Sequence, residues 1–264
     1  MTRGSGVTRA RGHARRDALA IVAVGLLFLA AWQTIVVVGG YPPYILPSPF
    51  AVAGRLAWAV ESGILWPHLA ATLLEIALGL LVGVSAALVL GFLLARSRRA
   101  DRLLSPYLVA AQATPILALA PVIVLWFGSG LTSKVLICAL ICFFPMVVST
   151  SVGLRSIDPG LVEMARGLRA TGRQLLLTVE LPAALPQVLG GLKVAVTLSV
   201  VGAIVAEWAG GERGLGVLIN LARGSLFDIP LMFATLVVIA GVGVALYLVV
   251  VLVERRLVGV RVSA

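Results

Sequence analysis

Little in this sequence could act chemically on a bound molecule, and spacing excludes most of what could. Cys138 and Cys142 stand on one face of an apolar helix, yet no histidine or carboxylate lies close enough in sequence to complete a metal site. They read as small buried hydrophobes. His13 falls in a basic amino-terminal segment and His68 at a membrane edge, and no carboxylate pair faces a plausible metal. No serine occupies a nucleophile elbow, and the run GSGLTSK, from Gly128 to Lys134, fails the spacing of a phosphate loop. The chain is therefore expected to be no enzyme and to hold no metal or cofactor. What remains is a set of polar residues stranded in apolar sequence: Glu75, Gln112, Thr114, Ser199 and Glu207. An ionisable group in hydrocarbon must face protein or a water-filled path. Glu75 is either a structural hydrogen-bonding or ion-pairing partner or part of a path wall, and all five residues are candidates to line a path.

The elements that position these residues are membrane spans. The chain has 264 residues, 60% of them hydrophobic and 12% charged, with a mean hydropathy of +1.09, more apolar surface than a soluble domain of this length can bury. The net charge of +10 does not indicate nucleic acid: its arginines sit between apolar runs and are not interleaved with aromatics. Residues 1–16 lack an apolar period and are expected to form a disordered tail, and 257–264 a second tail; one membrane domain is expected over 17–256. Spans are expected at about 18–38, 66–95, 106–127, 134–152, 185–206 and 231–253, each long enough for a bilayer about 30 Å thick. Ser48 and Pro49 start a short helix whose Val52, Leu56 and Val60 share a face suited to lying on the outer membrane surface.

Within the second span Gly79, Gly83, Ala87 and Gly91 recur every fourth residue, which lets a neighbouring helix approach closely. Gly191, Ala195, Ser199 and Ala203 repeat the pattern later. Pro115 and Pro121 should kink the third span. Basic residues cluster in the amino-terminal tail, in 96–102, in 155–173 and at the carboxyl end. Only Arg55, Lys134, Arg213 and Arg223 fall in the alternate connections, with Lys193 inside the fifth span. The positive-inside rule then places both termini and residues 155–182 in the cytoplasm, with Trp32, Trp66, Trp126 and Trp208 near the outer interface.

One insert breaks the pattern. Asp158 with Pro159 after it is a helix start, and Leu161, Met164, Ala165 and Leu168 stand at i, i+3, i+4 and i+7, with Glu163, Arg166 and Arg169 on the other side. This amphipathic helix is too short to cross a bilayer. Gly172 permits a turn, helical spacing resumes from Gln174 to Leu181, and Pro182 and Pro186 break or kink the chain beyond it.

Glu163, Ala165, Ala170, Leu181, Pro182 and Pro186 stand where the EAA loop of binding-protein-dependent ABC importer permeases has its Glu, second Ala, later Ala, closing Leu-Pro and further Pro. The segment resembles that loop, and the resemblance extends from Leu46 to Arg256. Arg169 departs from the family glycine before Ala170: either Arg169 takes a positive φ at a cost of about 1 kcal/mol, or, as the preferred expectation, the turn moves to a neighbouring glycine, Gly167 or Gly172. LPSP at Leu46 to Pro49 and ALAPVIVLWFG in the third span are similar to the nitrate, sulfonate and taurine branch. Phe143-Phe144-Pro145 and the run from Glu207-Trp208 to GLG look more like importers of riboflavin or thiamine pyrimidines.

The resemblance implies an all-α type I ABC importer permease in the inner or plasma membrane, pairing with a second copy as a homodimer. Two cytoplasmic ABC ATPase subunits would carry ATP and Mg and grip the loop, and an extracytoplasmic solute-binding protein would deliver the solute. It assigns Leu161, Glu163, Met164, Ala165, Arg166, Leu168, Arg169 and Ala170 to ATPase coupling. An ion-coupled secondary transporter would instead show paired intramembrane acids and an inverted repeat. A membrane scaffold without transport is the third alternative.

Overall fold

The computed structural model describes the backbone of residues 5–259 and the side chains of residues 19–257. Every regular element among them is helical. In chain order these are α1 (Ser5–Gly39), α2 (Pro49–Glu61), α3 (Leu65–Arg96), α4 (Arg98–Ala113), α5 (Ile116–Phe127), α6 (Leu131–Arg155), α7 (Pro159–Gly167), α8 (Gly172–Leu175), a π-helical turn at Leu176–Glu180, α9 (Leu181–Gly210), α10 (Leu215–Arg223) and α11 (Ile229–Gly259). Among the described residues five helices are long and apolar enough to cross a membrane: Leu19–Gly39 within α1, α3, α6, Gly172–Gly210, and Ile229–Leu257 within α11. A sixth span exists if α4 and α5, bent by 95° at their junction, are counted as one.

Two of the expected boundaries lie elsewhere. First, α1 runs back to Ser5 through most of the segment expected to be a disordered tail, because its alanines and arginines favour helix. The outermost parts of both expected tails, 1–4 and 260–264, lie outside the described residues. Second, the expected arginine-rich connection at 96–102 contracts to one extended residue, Ser97, whose Oγ accepts from the Ala100 N–H at 3.2 Å and starts α4 at once. By compactness the chain forms two units, one of residues 1–62 and 221–234, the other of 63–220 and 235–264.

In the smaller unit Ser48 caps α2 by accepting from Ala51, and Pro49 occupies the first turn. Val52 and Ala59 form the buried side of α2, whereas Val60 is exposed. Arg55 pairs with Asp228, and its guanidinium lies 3.6 Å from the centre of the Trp58 ring. Trp32 of α1 packs between Phe28 and Phe233. Around α1, Leu19, Ile21, Val22, Val24, Leu26, Leu27 and Phe28 are all exposed, as expected of a helix whose neighbour is lipid.

In the larger unit α6 lies between α3 and α9. A Cβ at Gly79 would run into the Cys138 thiol, one at Gly83 would come within 2.5 Å of the Ala139 carbonyl oxygen, and one at Gly91 within 2.7 Å of Thr150 Cβ. Ala87, between them, is fully buried. From the other side Gly191 meets Ser149 and Gly202 meets Cys138. The Cys138 and Cys142 thiols donate to the Ser199 and Ala195 carbonyls at 3.5 and 3.3 Å. Lipid tails are as apolar as leucine, so this close backbone approach, more than hydrophobicity, holds the three helices together.

Candidate functional site

The site is built from the end of α6 through α7 and α8 to the π-helical turn. Asp158 Oδ1 accepts from the Gly160 N–H at 2.8 Å, and Pro159 sits in the first helical turn, where it misses no donor. Over the nine residues of α7, Leu161 is 44% exposed and Met164 60%, with Leu168 beyond its end at 78%. Ala165, which the period places on the same face, is buried at 8%. Glu163 and Arg166 are exposed. The helix thus packs through Ala165 at one edge and leaves three large apolar side chains without cover among the described residues.

The end of α7 corrects one expectation. Arg169 itself adopts the left-handed conformation, with φ +58°, and the turn does not move to Gly167 or Gly172. The Ala170 N–H donates to the Ala165 carbonyl at 3.0 Å and the Arg169 N–H to the Arg166 carbonyl at 2.9 Å, the paired bonds of a Schellman motif. Both alternatives are occupied: Gly167 closes the last helical turn, and Gly172 opens α8 behind the Thr171–Gln174 capping box. An arginine in this conformation costs about 1 kcal/mol relative to glycine.

Past α8, Pro182 supplies no N–H, and the backbone ahead of it widens into the π-helical turn. Leu175, just ahead of this turn, and Glu180, its last residue, are both buried. The Glu180 carboxylate, 8% exposed, accepts from Arg96 Nη2 at 2.6 Å in the last turn of α3. Arg155 closes the other end of the segment, donating to the Leu94 carbonyl at 2.7 Å and pairing with Asp101 at 2.9 Å.

The residues expected to line a path fall into two places. Gln112 and Thr114 are exposed at the α4–α5 bend, beside a cavity of about 330 Å³ that Phe144 and Pro145 also line. Thr114 Oγ1 donates to the Ala110 carbonyl at 3.1 Å. Glu75, Ser199 and Glu207 are fully buried among helices. Ser199 Oγ donates to the Val196 carbonyl at 2.6 Å. Glu207 accepts from Thr72 Oγ1 at 2.5 Å and from the Gly216 N–H, while Glu75 Oε1 accepts from Lys134 Nζ at 2.7 Å. Lys134 also donates to the Arg213 carbonyl at 3.0 Å, and His68 Nδ1 lies against the backbone of Gly214. Sequence reasoning places Lys134 in an outer connection and misses both this pair and Arg96–Glu180. The available signal is a lone cation and a lone acid in apolar sequence, each needing a partner.

The profile of the family described as "binding-protein-dependent transport system inner membrane component" matches residues 79–259. The chain is 46% identical to the riboflavin transport system permease protein of Chloroflexus aurantiacus, covering 98% of this chain and 96% of that one. It is 37% identical to the formylaminopyrimidine transport permease protein of Halalkalibacterium halodurans, with coverage of 83% and 86%, and 32% identical to the taurine transport system permease protein of Escherichia coli, with 87% and 82%. Among solved structures, the inward-facing MetNI methionine ABC transporter shares the fold with a TM-score of 0.61 at 21% identity, over 76% of this chain and 97% of that one.

Proposed function

Because the chain belongs to the family of binding-protein-dependent transport system inner membrane components and is a multi-pass ABC importer permease, we propose that α7 is the handle by which a cytoplasmic ATPase moves it. In this reading two copies of the chain enclose the path, each gripped by one ATPase subunit that carries ATP and Mg, and an extracytoplasmic binding protein supplies the solute. Both termini and α7 lie on the cytoplasmic side. The observation that carries the reading is the exposure of Leu161, Met164 and Leu168 on a helix too short to span. Fully burying such side chains is worth about 1.5–3 kcal/mol each, a driving force available only to a partner. Glu163 and Arg166 flank them and orient the docking, and Ala165, Arg169 and Ala170 shape the handle from within.

The solute in this proposal is a small nitrogen heterocycle, riboflavin or a thiamine pyrimidine. Its support is the identity to the riboflavin and formylaminopyrimidine permeases, and a cavity where the Phe144 ring, the Gln112 amide and the Thr114 hydroxyl stand together. A flat ring with polar edges suits that lining.

The test uses permease, ATPase subunit and binding protein co-expressed and reconstituted in vesicles. Met164→Glu, at a side chain 60% exposed, is expected to cut co-purification of the ATPase at least tenfold and to stop ATP-dependent uptake. Undiminished association together with undiminished uptake overturns the handle. Uptake of labelled riboflavin that excess pyrimidine competes away supports the heterocycle; uptake competed only by taurine removes it.

A further inference from the structure

Two polar clamps bracket the handle, and both close on the same place. Arg155, four residues before Pro159, donates to the Leu94 carbonyl and pairs with Asp101 in the first turn of α4, which follows α3 after the single residue Ser97. Glu180, at the far side of α8, accepts from Arg96. Leu94 and Arg96 belong to the last turn of α3, where carbonyls have no partner within the helix. A chain segment held at both ends to one helix terminus cannot shift along the membrane plane without carrying that terminus with it. Glu180 is the last residue of the π-helical turn and is buried.

We infer that Arg155 and Glu180 are positioning residues that fasten α7 to the carboxyl-terminal end of α3, so that force applied to α7 is delivered to α3. The inference rests on the reading of α7 as the ATPase's handle. Neither residue touches the partner in it. Both act by keeping a constant distance between α7 and the end of α3 while the nucleotide cycle turns, as rigid-body transmission requires. The clamps are charge-assisted and mostly screened from solvent on the Glu180 side, which favours a fixed geometry over a fluctuating surface pair.

The experiment measures that distance. Spin labels are placed on cysteines at Leu93, which is 46% exposed, and at Gly167, where a Cβ meets nothing within 4 Å, in only one of the two permease copies of the complete transporter in nanodiscs. The clamped protein is expected to give one narrow distance distribution, unchanged between the nucleotide-free and vanadate-trapped states. Combining Glu180→Gln with Arg155→Gln is expected to broaden the distribution at least twofold or to shift it on trapping. Exchanging the charges, Arg96→Glu with Glu180→Arg, is expected to restore the narrow distribution when Arg155 is intact; a merely space-filling role for Glu180 gives no such rescue. A wild-type distance that changes on trapping, or a double variant as narrow as wild type in both states, overturns the clamp and leaves the handle standing. A wild-type complex in which α7 does not contact the ATPase at all overturns both.

Discussion

Replacing Lys134 by methionine would leave the Glu75 carboxylate in the interior of three packed helices without the cation now 2.7 Å from it. At that separation and an effective dielectric of about 20, the attraction is about 6 kcal/mol. Several kcal/mol of desolvation for each ion largely offset it, so the intact pair adds little net stability. Breaking the pair is another matter. With side chains only 8% and 2% exposed, one-sided removal of a buried ion costs about 3–5 kcal/mol. At about 2–4 °C per kcal/mol for a chain of this size, the melting temperature should fall by about 6–20 °C. The assay is thermal unfolding of the purified permease in detergent, monitored by loss of the monodisperse chromatographic peak, on Lys134→Met, Glu75→Gln and the double variant. The double variant should recover most of the loss, because the two substitutions share one interaction and cannot be additive. A Lys134→Met protein that melts within about 2 °C of wild type, or a double variant that loses the sum of the singles, would refute the reasoning.

Other consequences are smaller or local. Arg169→Gly should relieve about 1 kcal/mol of left-handed strain, slowing hydrogen exchange at the Ala170 amide about fivefold, whereas Arg169→Val, with a branched Cβ, should speed it; equal rates in both would remove the Schellman reading. Gly83→Leu, forced against the Ala139 carbonyl, should abolish the folded peak, while Gly25→Leu, with nothing within 4 Å, should leave melting unchanged. Ser97→Ala should cost about 1 kcal/mol by removing the cap on α4, read as a melting shift of about 2–4 °C.

Much of this architecture is legible in the chain because its signals are local. Asp158 and Pro159 announce α7, and the recurrence of Gly79, Gly83, Ala87 and Gly91 marks the surface that meets α6. Pairings set by tertiary register are not legible in the same way. Glu75 and Lys134 lie 59 residues apart and Arg96 and Glu180 84, and nothing local tells which buried acid faces which cation. The left-handed Arg169 escapes for a related reason. Local preference favours either neighbouring glycine, but the site of the turn is dictated by which carbonyls close α7. Moving it to Gly167 would give up the bond at Ala165, and moving it to Gly172 would undo the Thr171 cap.

The distribution of polar contacts along α3 then acquires a meaning that neither end has alone. Its middle is held by close backbone contact at Gly79, Gly83 and Gly91. Its first half carries the Thr72–Glu207 and Glu75–Lys134 contacts, and its last turn the Arg96–Glu180 clamp, about 30 Å further along the axis. Directional contacts are thus concentrated toward the two ends of α3, near the 211–216 connection at one end and the flanks of α7 at the other. A helix gripped by directional contacts at both ends and by smooth packing between them behaves as a rod. If α7 is moved as proposed, displacement of the last turn of α3 would be felt at Glu75, and through Lys134 at the Arg213 carbonyl, and at Thr72, which donates to Glu207.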